Sequence, residues 1–386
     1  MQAPDYNLSF WITLSCLSSI PSELLHALSD DRIFENEIWQ ADISELREYG
    51  LSQSNAAAFI RARDNSKADA ILLDCRQKGI SVLPLPDCSF PSKLREIEAP
   101  PAVLYYRGVL PDFENTLSIA VVGARNAVPH SLNFAEKLGI ALGRWGINVI
   151  SGGAGGIDTA AMRGALQSGG VAVGVLANGP DIDYPAKNGG LFRQTAVNGC
   201  ILSEYAPGIK PEKRYFPLRN RLISALSHGV VVVEASKISG SLHTARYALE
   251  QGRDLFSVPG PAGEDYCAGS NQLLRDGALF CEGIDDILAC YSSQYDLQLI
   301  KRDEFNSSEP LKSESLSTSA HHSKAIPADI PENEAAVLRS MGNAACSPDS
   351  IISSSGLSPQ EVLTCLTMLQ IRGLIRAVPG GSYLRQ

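Results

Sequence analysis

No stretch of this 386-residue chain approaches a membrane-spanning run, which takes roughly 20 consecutive apolar residues. Lys and Arg are absent from Met1 to Phe10, so the short apolar run Phe10–Ile20 lacks the basic flank of a secretory leader. The nine cysteines (16, 75, 88, 200, 267, 281, 290, 346, 365) include no C-x-x-C pair. That scatter supports neither a disulfide framework nor a zinc site, and reduced, buried thiols in a cytoplasmic protein are expected. No G-x-x-x-x-G-K-[ST] loop occurs, which removes the main support for a nucleotide-hydrolysing P-loop.

Positive charge is also scarce. Lys and Arg number 33 against 42 Asp and Glu, a formal net charge of −9. Neutralising phosphates takes clustered cations, so this total excludes a broadly basic protein that coats nucleic acid. A local groove stays possible. Residues 1–110 carry −5, residues 111–290 carry −2, residues 291–331 carry −2 and residues 332–386 are neutral. Between Lys187 and Arg221 seven basic residues face only Glu204 and Glu212.

The pattern of apolar residues divides the chain into four parts. Residues 1–83 read as short helices, with apolar positions at helical spacing in Ile20–Leu28 and Ile43–Ile60. Residues 84–290 alternate β-branched runs (Ile119–Val122, Val149–Ser151, Val171–Leu176, Val230–Val233) with amphipathic segments such as Leu132–Trp145 and Asn220–Ser227. Those runs are continuously apolar, as in parallel strands buried on both faces, so the pattern predicts a doubly wound α/β sheet. Residues 291–330, rich in Ser, Lys, Glu and Asp, read as a flexible linker. Residues 331–386 read as a helix, a helix-turn-helix ending in Ser358–Ile371 and a hairpin turning at Gly380-Gly381, the order of a winged helix. The expected recognition helix has one charged residue, Glu361, and no Lys or Arg, which points away from DNA reading by this module.

In a doubly wound sheet, ligands gather where strands end. Four loops carry suitable residues. Gly123-Ala124-Arg125 follows the first strand of the sheet pattern and offers amides and a guanidinium to an anion. Ser151-Gly152-Gly153 opens a glycine-rich loop that can cradle phosphate but departs from G-x-G-x-x-G. The third region spans Tyr184, Lys187 and Asn188 and reaches Arg219, Asn220 and Arg221, with Tyr184, Tyr215 and Phe216 available to stack bases. The fourth, Ser239-Gly240-Ser241, starts a helix after a strand ending in Glu234. His243 has no G-x-S-x-G nucleophile beside it and reads as a surface residue.

Taken in order, these segments resemble the DprA/Smf family of DNA-processing proteins. The resemblance runs from Pro86 to about Ile287 through Gly123-Ala-Arg125, Ser151–Asp158, Asp183-Tyr-Pro185, Phe216–Arg221, Val232–Ser236, Ser239–Ala245 and Val258-Pro-Gly260. It implies an extended Rossmann-like domain, a SAM-like or helix-hairpin-helix N-terminal extension and a C-terminal winged helix. The function it implies is binding of single-stranded DNA entering the cell in natural transformation. Such a protein protects the strand, helps load the RecA recombinase, acts as a homodimer, and has no enzymatic activity, cofactor or membrane partner. Gly155 and Met162 depart from the family pattern, which usually has Arg or another larger residue at the first position and often His at the second. The alternative is a Rossmann-like nucleotide phosphoribohydrolase using Glu234 as base, although the P-G-G-x-G-T-x-x-E signature of those enzymes is missing.

Overall fold

Short capped helices account for the first part of the chain: α1 (Leu8–Ser15), α2 (Ser22–Ser29), α3 (Glu35–Gln40), α4 (Ile43–Glu48), α5 (Gln53–Asp64) and α6 (Lys67–Lys78). The caps are visible in the sequence. The Asn7 side chain accepts from Phe10 N–H, Asp42 and Glu45 form a reciprocal capping box, and Ser52 accepts from Asn55 N–H. The computed structural model describes residues 7–30, 33–295, 331–341, 348–372, 374–378 and 382–385. The linker expected over 291–330 and the Gly380-Gly381 turn lie outside the described residues, except for 291–295.

Strands and helices then alternate: β1 (Ser81–Pro84), α7 (Ser92–Arg95), β2 (Val103–Gly108), β3 (Ser118–Val122), α8 (Pro129–Arg144), β4 (Asn148–Ser151), α9 (Ile157–Gln167) and β5 (Ala172–Val175). They are followed by α10 (Gly189–Val197), β6 (Gly199–Ser203), α11 (Tyr215–Ala225), β7 (Gly229–Val232), α12 (Ser241–Glu250) and β8 (Asp254–Ser257). The series ends with α13 (Ala268–Arg275), β9 (Leu279–Phe280) and α14 (Ile284–Tyr291). One nine-stranded sheet results, in the order β1-β2-β6-β5-β4-β3-β7-β8-β9. From β6 to β9 all neighbours are parallel, whereas β2 joins β6 and β1 joins β2 antiparallel. Every residue of β3 to β7 is buried, as continuous apolar runs predict for a sheet covered on both faces.

The N-terminal helices and one face of the sheet share a core. Phe10, Trp11, Leu46 and Phe59 belong to the same buried cluster as Val103, Tyr105, Val122 and Val232. Edge-on contacts of Phe10 with Trp11, Trp39 and Phe59 hold the helices together, and Tyr105 Oη meets Ser15 Oγ at 3.1 Å. On the other face α8 and α9 pack unusually closely. Small residues on α9 allow it to approach the sheet, and they also meet α8: Gly164 lies over the Glu136 carbonyl of α8, and Gly139 of α8 over the Ala161 carbonyl. Their glycines therefore serve a helix–helix contact as well.

The C-terminal unit has its own core of Val337, Leu338, Ile351, Val362, Leu366, Leu369 and Ile375. Helices α15 (Glu332–Ser340), α16 (Pro348–Ser355) and α17 (Pro359–Ile371) precede the antiparallel pair β10 (Ile375–Val378) and β11 (Ser382–Arg385), the winged-helix order. Gly356, with φ of +73°, makes the turn between α16 and α17, and Ser358 and Glu361 form the capping box that starts α17. No helix among the described residues is long and apolar enough to cross a membrane.

Candidate functional site

Strand order reverses between β3 and β7. From β3 the chain steps outward through β4, β5 and β6, then returns to β7 on the other side of β3 and continues to β8 and β9. The loops leaving β3 and β7 diverge and open a crevice beyond the strand ends, the usual ligand position in doubly wound sheets. Backbone hydrogen bonds fix the walls. Ala124 N–H donates to the Glu234 carbonyl at 2.9 Å, and the Ala124 carbonyl accepts from Ile157 N–H at 3.2 Å. One residue thus ties together the loops after β3, β4 and β7. Gly123 must lack a side chain, because a Cβ there would fall 2.7 Å from Ile157 Cγ1.

Two adjoining cavities fill the crevice. The larger, about 680 Å³, is lined by residues 123–126, Tyr184, Lys213, Phe216, Arg219, Asn220, Glu234 and residues 239–241. The smaller, about 230 Å³, opens onto Gly152, Gly155, Asn178, Lys187 and again Arg125, Tyr184, Phe216 and Arg219. Between them stand two aromatic rings. Tyr184 and Phe216 have centroids 5.8 Å apart, and the exposed Arg125 guanidinium lies 5.2 Å from the Phe216 ring centre. Planar groups and cations beside exposed backbone amides suit stacked bases and phosphates.

Of the residues expected from sequence, the fold brings Gly123, Ala124, Arg125, Tyr184, Arg219, Asn220, Ser239, Gly240 and Ser241 to the larger cavity. Gly152 and Lys187 reach the smaller one. Four others lie elsewhere. Ser151 is fully buried and donates to the Val121 carbonyl at 2.7 Å. Gly153 adopts φ of +64° and faces Phe192, where a Cβ would come within 2.8 Å. Asn188 is buried and braces the glycine loop, its Nδ2 donating to the Gly153 carbonyl and Thr159 Oγ1 at 2.9 and 3.1 Å. Arg221 turns away and forms a half-buried ion pair with Glu204. Sequence position could not separate these roles, because adjacent residues on a strand end or helix turn point in different directions.

Arg219 contributes to the crevice mainly as a brace. Only 4% exposed, it donates through Nη1 to the carbonyls of Gly152 and Val175, and through Nε to Asn220 Oδ1 at 3.2 Å. It meets Asp158 across Gly152, whose missing Cβ leaves them room. Asp158 Oδ2 accepts from the amides of Gly152 and Ala154 at 3.1 and 3.3 Å. Burial pushes the Asp158 carboxyl up, opposed by the Arg219 charge and these amides, while burial holds Arg219 at about 10. Arg219 is therefore still charged at neutral pH.

The local excess of cations is smaller than the sequence count indicates. Arg193 pairs with Asp183, Arg214 with Glu212 and Arg221 with Glu204. Among the described residues, Arg125, Lys187 and Lys213 line the crevice with no ion pair, and they carry its accessible positive charge. Lys213, Asn178 and Tyr266, which also line the crevice, were not marked as site residues by the sequence motifs. Lys213 could have been, since it stands three residues before Phe216 at the entrance to α11.

A crevice of amides, aromatic rings and unpaired cations at the switch point of a Rossmann-like sheet, in a chain that also carries a winged helix, defines a nucleic-acid-processing protein without a P-loop. The family described as DNA recombination-mediator protein A matches residues 81–292, and the DprA winged helix domain matches residues 321–381. Protein Smf from Synechocystis is 31% identical over 98% of both chains. The solved structure of DNA processing protein A from Streptococcus pneumoniae superposes with a TM-score of 0.64 at 33% identity, covering 74% of this chain and 98% of that one. The Helicobacter pylori protein, whose structure is described for its single-stranded DNA binding mode, gives a TM-score of 0.51 at 31% identity over 56% and 97% of the two chains. The chain belongs to the DprA/Smf family of DNA-processing proteins.

Proposed function

We propose that this protein binds single-stranded DNA in the crevice at the β3/β7 switch point, protects the strand and helps load a RecA-type recombinase in natural transformation. It does so in the cytoplasm as a homodimer, as a binding protein and not an enzyme, with no cofactor. The observation that carries this reading is the Tyr184–Phe216 pair with Arg125 beside it and Lys187 and Lys213 at the rim. Single strands expose the base faces that such rings stack on, whereas a duplex hides them. The Helicobacter pylori relative, described as binding single-stranded DNA, supports the same assignment.

Fluorescence anisotropy with a labelled 15-nucleotide strand tests it. Arg125→Ala should weaken binding severalfold with the fold intact, and unchanged affinity would remove Arg125 from the site. In the hydrolase alternative Glu234 would act as base, yet it is 2% exposed and its Oε2 accepts from Val128 N–H at 3.1 Å, a bond that fixes the loop leading into α8. Release of free base from nucleoside monophosphates, lost in Glu234→Gln, would revive that alternative.

A further inference from the structure

Helix α8 has a third face besides the two that pack. Its Ala135, Leu138 and Leu142 join the buried core under the sheet, and Gly139 and Gly143 take the contact with α9 and the turn after it. Lys137, Ile140, Ala141 and Arg144 recur at helical spacing on the remaining face. With Trp145, and with Ile284 at the start of α14, they line an open groove of about 350 Å³.

The chemistry of this groove is one-sided. Lys137 and Arg144 are exposed, and Trp145 is half-buried. These are the polar side chains that line it, and all three are hydrogen-bond donors. Among the described residues neither cation has an ion-pair partner, and the indole N–H of Trp145 donates to no acceptor. No Asp or Glu lines the groove. In the first turn of α14, Asp286 is already engaged by the amides of Glu282 and Gly283, at 2.6 and 3.1 Å.

Position and floor narrow the ligand. From Pro129, just after the crevice loop that follows β3, α8 runs sixteen residues, about 24 Å. Arg144 and Trp145 therefore stand at the opposite end of the sheet, beside the start of β4. A strand seated in the crevice leaves this groove free. Three unpartnered donors call for carboxylates or phosphates, while Ile140, Ala141 and Ile284 supply an aliphatic floor. Nucleic acid brings phosphates, but its bases stack on ring faces and Trp145 offers the one ring here. An acidic peptide with a large apolar side chain satisfies the donors and the floor together. Lys137 and Arg144 lie about 10 Å apart along the helix, the span of about three residues of extended chain.

We infer that the groove between α8 and α14 docks an acidic segment of a partner protein. An apolar side chain of that segment enters between Ile140, Ile284 and Trp145, and carboxylates on either side of it pair with Lys137 and Arg144. The inference is independent of the single-stranded DNA reading, and it allows the partner to be held while the crevice is occupied.

Selection of random twelve-residue peptides displayed on phage against the full-length protein tests it. The selected sequences should be rich in Asp and Glu around Leu, Ile or Phe. A labelled synthetic peptide from that pool, followed by fluorescence anisotropy, should bind at least tenfold more weakly to the double variant Lys137→Glu, Arg144→Glu. The same peptide with its carboxylates replaced by amides should lose as much. Both cations are exposed, so the double variant should keep its urea midpoint and bind a 15-nucleotide strand within twofold of the wild type. Selected peptides without acidic enrichment, or an acidic peptide that binds the double variant as tightly as the wild type, would overturn the inference. Strand binding lost in the folded double variant would give the groove to DNA, and a dimer that dissociates in it would give the groove to a second copy of this chain. Either result would overturn the partner segment.

Discussion

Phe216 and Arg219 are three residues apart at the start of one helix, yet the fold gives them different work. Phe216 lines both cavities, so Phe216→Ala should cost about 1–3 kcal/mol per stacked base in single-strand affinity and leave the unfolding midpoint nearly unchanged. Arg219 is buried among the Gly152 and Val175 carbonyls and Asp158. Arg219→Ala removes the donor to two buried carbonyls and the charge that opposes burial of the Asp158 carboxyl, a loss of about 1–3 kcal/mol, so it should lower stability in urea denaturation, and its DNA defect should follow from that loss. The motif was legible in the sequence as F-P-x-R-N-R, but which of its cations face solvent was not. That depends on whether a carboxylate from a distant segment lies opposite, as Asp158 and Glu204 do here. His228 offers a test remote from the crevice. Its Nδ1 accepts from Ser118 N–H at 3.0 Å, and burial together with the nearby Lys93 charge holds the imidazole down at about 4. A histidine depressed in the fold stabilises it above the unfolded value near 6.5, and that contribution is lost as pH falls toward 4. Urea midpoints should therefore drop more between pH 7 and pH 5 in the wild type than in His228→Asn.

Among the secondary-structure elements, the α8–α9 pair is the tightest joint near the site. A Cβ at Gly139 would fall 2.2 Å from the Ala161 carbonyl oxygen, and one at Gly164 would fall 2.1 Å from that of Glu136. Both obstacles are backbone, so Gly139→Ala and Gly164→Ala should each destabilise the protein by about 1–3 kcal/mol, read as a shift in urea midpoint. Because α9 leads out of the glycine loop of the crevice, these variants should also bind single strands more weakly near their unfolding midpoint. Strands β3, β4, β5 and β7 were legible because both-face burial makes them uninterrupted apolar runs. The β9 pair, Leu279 and Phe280, carries no such signal: it has two residues, both exposed. Antiparallel β1 and β2 were hidden for another reason. Their burial is uneven along the strand, and their place beside β6 depends on a pairing with a segment more than ninety residues away.

For the whole molecule, a net charge of −9 coexists with a crevice whose accessible charge is positive, because most carboxylates lie outside 111–290 or are paired. Three unpaired cations at the site set the expected electrolyte response: log K should fall with log salt with a slope of about −2 for a single strand. A slope near zero would remove the electrostatic part of the account, and a much steeper one would require cations beyond Arg125, Lys187 and Lys213. In the winged-helix unit, α17 carries Glu361 as its one charged residue and no Lys or Arg. The central claim is that the strand lies at the β3/β7 switch point. Ultraviolet cross-linking of a bromodeoxyuridine-substituted strand to the full-length protein, with the adducts mapped by mass spectrometry, tests it most directly. Adducts on the peptides carrying Tyr184 and Phe216, lost in Arg125→Ala, are the predicted result, and adducts confined to the winged helix would contradict it.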